Sequence, residues 1–388
     1  MTEMVHGTLP LRAGEPVLPR WWRTIDKWSM AAVLALFSIG LLLGLAASVP
    51  LAERNNLDSF HYVQRQLAFG LAAVVTMVGV SMMDPRQIRR MGVVLFLVAF
   101  IGLMLLPFFG TNYGKGAVRW FSLGFGSVQP SEFLKPGFII VSAWLIAAAQ
   151  DINGPPGRAW SFGLLILVVS LLVLQPDFGQ ASLVLFGWGV VYFVSGAPMR
   201  ILLVVASLVV VGGAVAYNSS DHFAGRINGF LSAEIDPRTQ IGYATTAIQN
   251  GGFFGTGVGE GQVKWQLPDA HTDFIIAVAA EEYGLVLVSL IILLYGTIVV
   301  RSLMRLTKER DPFIRLAGAG LACIFSVQAM INMGVAVRLL PTKGMTLPFV
   351  SYGGSSVVAA GLTVGALFAL TRHRPQGEIS NILLRRGR

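Results

Sequence analysis

Charge is scarce in this 388-residue sequence: only 13% of residues are Asp, Glu, Lys or Arg, while 54% are hydrophobic. Soluble domains carry about 25% charged residues, and half that fraction cannot cover the surface of a chain this long with polar groups. A single water-soluble globule is therefore excluded. Cysteine is scarcer still. Cys323 is the only one, so neither an intrachain disulfide nor a cysteine-based metal site can form. Acidic residues are outnumbered 20 to 29 by Lys and Arg, for a net charge of +9. In a soluble protein that excess would suggest nucleic acid as a partner; here its distribution decides.

What the sequence has instead is long apolar runs and a mean hydropathy of +0.67. Apolar segments at about 28–49, 66–83, 91–110, 132–150, 160–175, 178–196, 199–217, 273–300, 314–337 and 353–371 predict an all-α polytopic membrane protein of about ten transmembrane helices. With the N-terminus inside, nineteen of the 29 Lys and Arg fall in inner segments. The basic excess then reads as topology, not as a nucleic-acid site, and both termini are expected in the cytoplasm. The first apolar run, about 22 residues, is too long for a signal-peptide core. The division that follows is a tail at 1–27, a membrane domain at 28–371 and a basic tail at 372–388.

Two outer connections are long. Residues 111–131 are rich in Gly and aromatics, and residues 218–272, between spans seven and eight, form the longest loop. Its aromatic residues, among them Phe223, Phe230, Phe253, Phe254 and Trp265, argue for short ordered amphipathic pieces on the membrane surface.

Ionisable residues inside spans are costly and tend to pair or line a cavity. Glu132 and Lys135, three apart on one helix, share a face and can neutralise each other or serve a ligand. The eighth span opens at His271-Thr272-Asp273-Phe274 and carries Glu281 and Glu282 about 12 Å deeper, if it is one continuous helix. On such a helix Asp273 and Glu281 border one cavity while Glu282 turns toward a neighbouring helix. Asp273 suits either a helix N-cap or a carboxylate acting on something that arrives from the membrane. Leu340 to Ser356 mixes Pro, Gly and hydroxyls between two spans, which predicts a re-entrant loop with Lys343 near its turn and a capacity for phosphate.

These residues carry a resemblance. Gly116-Ala117-Val118-Arg119-Trp120-Phe121, Gln129 through Lys135, Gln175-Pro176-Asp177-Phe178-Gly179, Leu267 through Phe274, Ala280 through Gly284 and Leu340 through Ser356 resemble, in order, the motifs of the SEDS family of bacterial cell-wall proteins. Pro-Thr-Lys-Gly before Pro-Phe-Val-Ser-Tyr-Gly-Gly-Ser-Ser is similar to the division branch of that family; Ala336-Val337-Arg338 departs from its pattern. The resemblance implies a peptidoglycan glycosyltransferase of the bacterial cytoplasmic membrane that polymerises lipid II at the division septum. It would work beside a class B penicillin-binding protein transpeptidase and other divisome membrane proteins. It also implies that Asp273 is the residue on which polymerisation depends and that Arg119 and Lys135 handle the lipid-bound substrate; Glu132, His271, Lys343, Ser351 and Glu281 are further substrate-binding candidates.

The chemistry fits such a set. Joining a sugar hydroxyl to the anomeric carbon of a lipid-linked sugar expels a diphosphate, an already acidic leaving group that needs positive charge nearby and no general acid. The acceptor hydroxyl needs a base, so one carboxylate suffices where a glycosidase uses two. A divalent cation, Mg or Mn, could share the charge of the diphosphates, although no ligand cluster in the sequence demands one. A lipid II flippase or a division scaffold would show similar polar residues; loss of Asp273 separates these readings, since only the polymerase needs it.

Overall fold

Runs of Leu, Val, Ile and Ala become helices here because inside hydrocarbon a chain can hydrogen-bond only to protein. The structure is a computed structural model, and it describes residues 17–111, 118–122, 124, 126–151, 153–219, 221–232, 237–341 and 344–373. Helices α1 (Val17–Thr24), α2 (Lys27–Arg54), α3 (His61–Ser81) and α4 (Pro85–Phe109) precede a two-stranded hairpin, β1 (Phe121–Ser122) and β2 (Ser127–Val128). Then come α5 (Pro130–Ala148), α6 (Gly157–Leu174), α7 (Phe178–Val194) and α8 (Met199–Ser219). The long loop holds α9 (Asp221–Leu231), α10 (Gln240–Gly251) and a 3-10 turn at Val263–Trp265. The chain closes with α11 (Ile275–Leu306), α12 (Pro312–Ala336) and α13 (Gly354–Thr371).

Among the described residues, nine helices are long and apolar enough to cross a membrane. The apolar α7, at 17 residues, reaches the lower limit of a span and completes the expected ten. Local signals set the helix starts. Pro stands in the first turn of α4, α5 and α12, where its missing N–H costs nothing. Asp311 Oδ1 accepts from the N–H groups of Phe313 (2.8 Å) and Ile314 (3.2 Å), capping α12.

Helices α5, α12 and α13 form the centre and are mostly buried, whereas α8 has no buried residue at all. The seam between α13 and α3 is tight: a Cβ on Gly361 would lie 2.4 Å from the Ala73 carbonyl oxygen, and one on Gly365 2.7 Å from that of Met77. At the end that gathers both tails, the nearly buried Asp26 carboxylate accepts from Arg301 Nε (2.7 Å), Arg301 Nη2 (2.9 Å) and Ser29 Oγ (2.8 Å). Arg372 pairs with Asp84 at 2.8 Å, and the His373 N–H donates to the Thr24 carbonyl at 3.0 Å. Burial alone would raise the Asp26 carboxyl; the Arg301 and Ser29 hydrogen bonds and the Arg305 charge outweigh it and hold it below its ordinary value.

The eighth span differs from the expectation. It starts at Ile275, not at His271, and it is broken at Gly284, whose φ of 73° and ψ of −172° are non-helical. A turn of the long loop plugs the break. Leu285 and Val286 donate their N–H groups to the carbonyls of Gly252 (3.1 Å) and Phe253 (3.4 Å). In return the Glu281 and Glu282 carbonyls accept from Thr256 (2.8 Å) and Gly257 (3.2 Å). The interrupted backbone is thus satisfied by protein. The expected ordered pieces of this loop are present as α9, α10 and the 3-10 turn, with α10 wedged by Gly251 against the Ala280 carbonyl.

Two outcomes follow. Gly284→Ala would place a Cβ 2.3 Å from the Phe253 oxygen at a φ that L-residues rarely adopt, and is expected to cost more than about 2 kcal/mol, read as a drop in the thermal midpoint of purified protein. Because the folded Asp26 carboxyl is lowered, its contribution is present above the unfolded value near ~3.9 and fades as pH falls through the folded one. Asp26→Asn should therefore lose about 1–3 kcal/mol at pH near 7 and converge with the parent as the medium becomes strongly acidic.

Candidate functional site

Asp273 sits in the turn before α11, not on the helix, so the depth and angle expected from a continuous helix do not apply. The turn is wound around one oxygen: the Asp269 carbonyl accepts from the N–H groups of Thr272 (3.1 Å) and Asp273 (3.1 Å). Phe274, almost fully buried, pins the turn to the core. The next three carbonyls point outward from the turn and each is held by another segment. That of His271 accepts from the Tyr352 N–H at 2.9 Å, that of Thr272 from Ser351 Oγ at 2.5 Å, and that of Asp273 from Asn332 Nδ2 at 3.0 Å. The half-buried carboxylate faces Gly344: its Oδ2 is 3.6 Å from where a Cβ on that glycine would stand. The His271 ring packs against Tyr352 (5.5 Å between centroids) and Tyr62 (5.9 Å).

A second polar group lies inside the bundle. Glu132 and Lys135 pair at 2.7 Å on the first turns of α5, both nearly inaccessible. Gln180 Nε2 donates to Glu132 Oε1 at 2.5 Å, and Lys135 Nζ donates to Gln328 Oε1 at 2.8 Å. Gln328 Nε2 in turn donates to the Thr346 carbonyl at 3.1 Å, and Asn332, one turn along α12, donates to the Met345 carbonyl at 2.6 Å. Farther out, Asp177 caps α7 and accepts from Gln129 Nε2 at 3.1 Å and Ser131 Oγ at 3.4 Å. Burial raises the Asp177 carboxyl above its ordinary value while the Arg119 charge pulls it down. Arg119 Nη2 itself donates to the Pro176 carbonyl at 2.5 Å. Side chains from α5, α7 and α12 therefore link Glu132 and Lys135 to the loop opposite Asp273. A cavity of about 10 Å³, room for about one water, borders Glu132, Lys135, Gln328 and Ser356.

The structure thus groups His271 and Asp273 with Ser351, sets Glu132 with Lys135, and keeps Arg119 at the α6–α7 turn. Two residues expected to face substrate have other work. Ser351 is fully buried; its hydroxyl donates to Thr272 and accepts from the Leu347 N–H at 2.9 Å, so it fastens the turn. Glu281 accepts through Oε1 from the N–H groups of Gln262 (2.9 Å) and Val263 (3.0 Å), and Glu282 pairs with Lys264 at 2.5 Å. Both glutamates meet the long loop because it wraps over the first turns of α11; the expected division between cavity and neighbouring helix is not there. Lys343 lies outside the described residues, as do residues 112–117 and 374–388. The sequence reading missed Gln328, Asn332 and Gln180. The i, i+4 spacing of the two amides in the mostly apolar second half of α12 was the available signal. Among the described residues, no three His, Cys, Asp or Glu side chains converge as metal ligands.

Nine long apolar helices and the shorter α7, with a buried polar network and a loop-held carboxylate at one end, define a multi-pass membrane protein. The family profile described as "Cell cycle protein", covering FtsW, RodA and SpoVE, matches residues 27–376, and the chain belongs to this SEDS family. It is 42% identical over 365 residues to the "Probable peptidoglycan glycosyltransferase FtsW" of Caulobacter vibrioides, covering 94% of this chain and 93% of that one. The protein of the same name from Trichlorobacter lovleyi is 36% identical, with 89% and 93% covered. A structure described as "Structural coordination of polymerization and crosslinking by a peptidoglycan synthase complex" superposes with a TM-score of 0.72 at 29% identity, over 89% of this chain and 97% of that one. The rod shape determining protein RodA of Thermus thermophilus does so with 0.66 at 29% identity, over 90% and 97%.

Removing one member of the buried ion pair leaves the other uncompensated. Lys135→Ala is expected to destabilise by about 3–5 kcal/mol, and the double variant Glu132→Gln/Lys135→Met to recover at least half of that, measured by thermal unfolding in a double-mutant cycle.

Proposed function

We propose that this chain is a peptidoglycan glycosyltransferase that polymerises lipid II in the bacterial cytoplasmic membrane during septal wall synthesis, with Asp273 as the general base. The end bearing Asp26 and most of the Lys and Arg faces the cytoplasm under the positive-inside rule, which puts both termini inside and Asp273 outside. The observation that carries the reading is the Asp273 turn, whose three consecutive carbonyls are each held by another segment while the carboxylate stays half exposed. A base must sit within about 2.6–3.2 Å of the atom that carries the proton it takes, and such a turn keeps it there.

As the acceptor hydroxyl oxygen bonds to the anomeric carbon of the donor, its proton passes to the Asp273 carboxylate. The bond from that carbon to the diphosphate breaks, and the electron pair leaves with the phosphate oxygen. One displacement inverts the anomeric centre. Arg119 is the cation at the mouth; to meet a diphosphate it exchanges the Gln175 and Pro176 carbonyls for phosphate oxygens. Lys135 stays neutralised by Glu132 until phosphate competes for it. Lys343, His271 and the loop opposite Asp273 complete the substrate side of this reading. A class B penicillin-binding protein transpeptidase is the partner that consumes the strands, within the wider set of divisome membrane proteins.

Purified protein assayed on labelled lipid II with that partner should lose polymerisation by about 10²–10⁴-fold in Asp273→Asn while keeping its elution profile. Polymerisation at the parental rate would return the chain to lipid transport or scaffolding.

A further inference from the structure

Asn332 lies on α12, 2% exposed among Ile331, Gly334 and Val335. Its Nδ2 donates to two carbonyls from two separate segments, that of Asp273 at 3.0 Å and that of Met345 at 2.6 Å. Its Oδ1 is buried and accepts no hydrogen bond in the structure. If packing were the whole purpose of this position, a leucine of similar volume would fill it without burying an unpaired acceptor. The amide instead commits both of its N–H groups and leaves its oxygen unmatched. The turn that carries Asp273 and the loop that its carboxylate faces at Gly344 are thereby tied to one rigid helix. Ser351 and Tyr352 hold the two residues before Asp273; Asn332 holds Asp273 itself. Gln328, one turn earlier, bonds the neighbouring Thr346 carbonyl, so α12 sets the register of the loop at two successive positions.

We infer that Asn332 is a positioning residue for glycan transfer: its amide fixes Asp273 against the 344–347 loop, and it touches neither sugar nor phosphate. This rests on the reading of Asp273 as the base. Proton transfer is steep in distance, and a misplacement of about 1 Å costs about 10²-fold in rate, so the loss of this amide appears in turnover and not in substrate capture.

The test uses full-length purified chain with its transpeptidase partner and lipid II, comparing Asn332→Leu, Asn332→Ser, Asp273→Asn, Asp273→Glu and the double variant Asp273→Glu/Asn332→Leu. Asn332→Leu is expected to keep its elution profile and its KM within about twofold while kcat falls at least about tenfold. Asn332→Ser, which keeps one donor, should fall between. The double variant should be no more than about threefold slower than Asp273→Glu alone, because a displaced carboxylate has no register left to lose. A parental kcat in Asn332→Leu overturns the inference, as does a loss confined to KM. Losses in both Asn332 variants that only track the folded fraction, or that multiply fully with Asp273→Glu, also overturn it. If Asp273→Asn is inactive while Asn332→Leu is parental, only the positioning role falls; if Asp273→Asn is active, the base assignment itself falls.

Discussion

A chain in hydrocarbon has no water to finish its hydrogen bonds, and the shape of this protein follows from that deficit. At two places where the backbone leaves the helix, Gly284 and the turn that carries Asp273, another stretch of chain supplies the missing partners. At Gly284 the plug is the turn after α10, which trades four hydrogen bonds with the broken helix α11. At His271-Thr272-Asp273 the partners are a backbone N–H, a serine hydroxyl and an asparagine amide. Irregular backbone is what lets a carboxylate stand away from a helix axis, and the surrounding donors are what make it tolerable there.

The same deficit explains why neutral amides, rather than further charges, join the polar groups. Each additional buried ion would carry its own desolvation penalty. Gln180 and Gln328 extend the Glu132 and Lys135 pair across α7 and α12 with no net charge added, and Asn332 bonds the same loop that Gln328 reaches. An amide offers a donor and an acceptor on one short stem, so it can link a carboxylate on one side to a lysine or a carbonyl on the other. The long loop is anchored by the same economy. Glu281 holds backbone N–H groups, and Glu282 finds a lysine within the loop it secures.

The ten apolar helices were legible from composition and run length, because hydrophobicity over about 20 residues is a strong and local signal. The Glu132 and Lys135 pair was legible as well, since i, i+3 spacing settles which side chains meet. The start of α11 was not. Nothing in His271 to Phe274 forbids helix, and the turn exists because a loop about 80 residues farther along claims its carbonyls. Gly284 was invisible for the same reason: a glycine within an apolar run marks a break only when a second chain segment arrives to fill it. Ser351 illustrates the converse. Its place in a motif beside Gly and Pro suggested a ligand, whereas its hydroxyl is spent on Thr272 and Leu347.

The seam between α3 and α13 sets an order on how the molecule is made. The groove along Ala73 and Met77 is synthesised 288 residues before the glycine face, Gly361 and Gly365, that fills it. The ion pair that closes the same end, Arg372 to Asp84, spans 288 residues. Helix α3 therefore enters the bilayer with an unfilled face, and the seam forms only when α13 reaches it. Insertion is sequential here, but this seam closes only after α13 has been made.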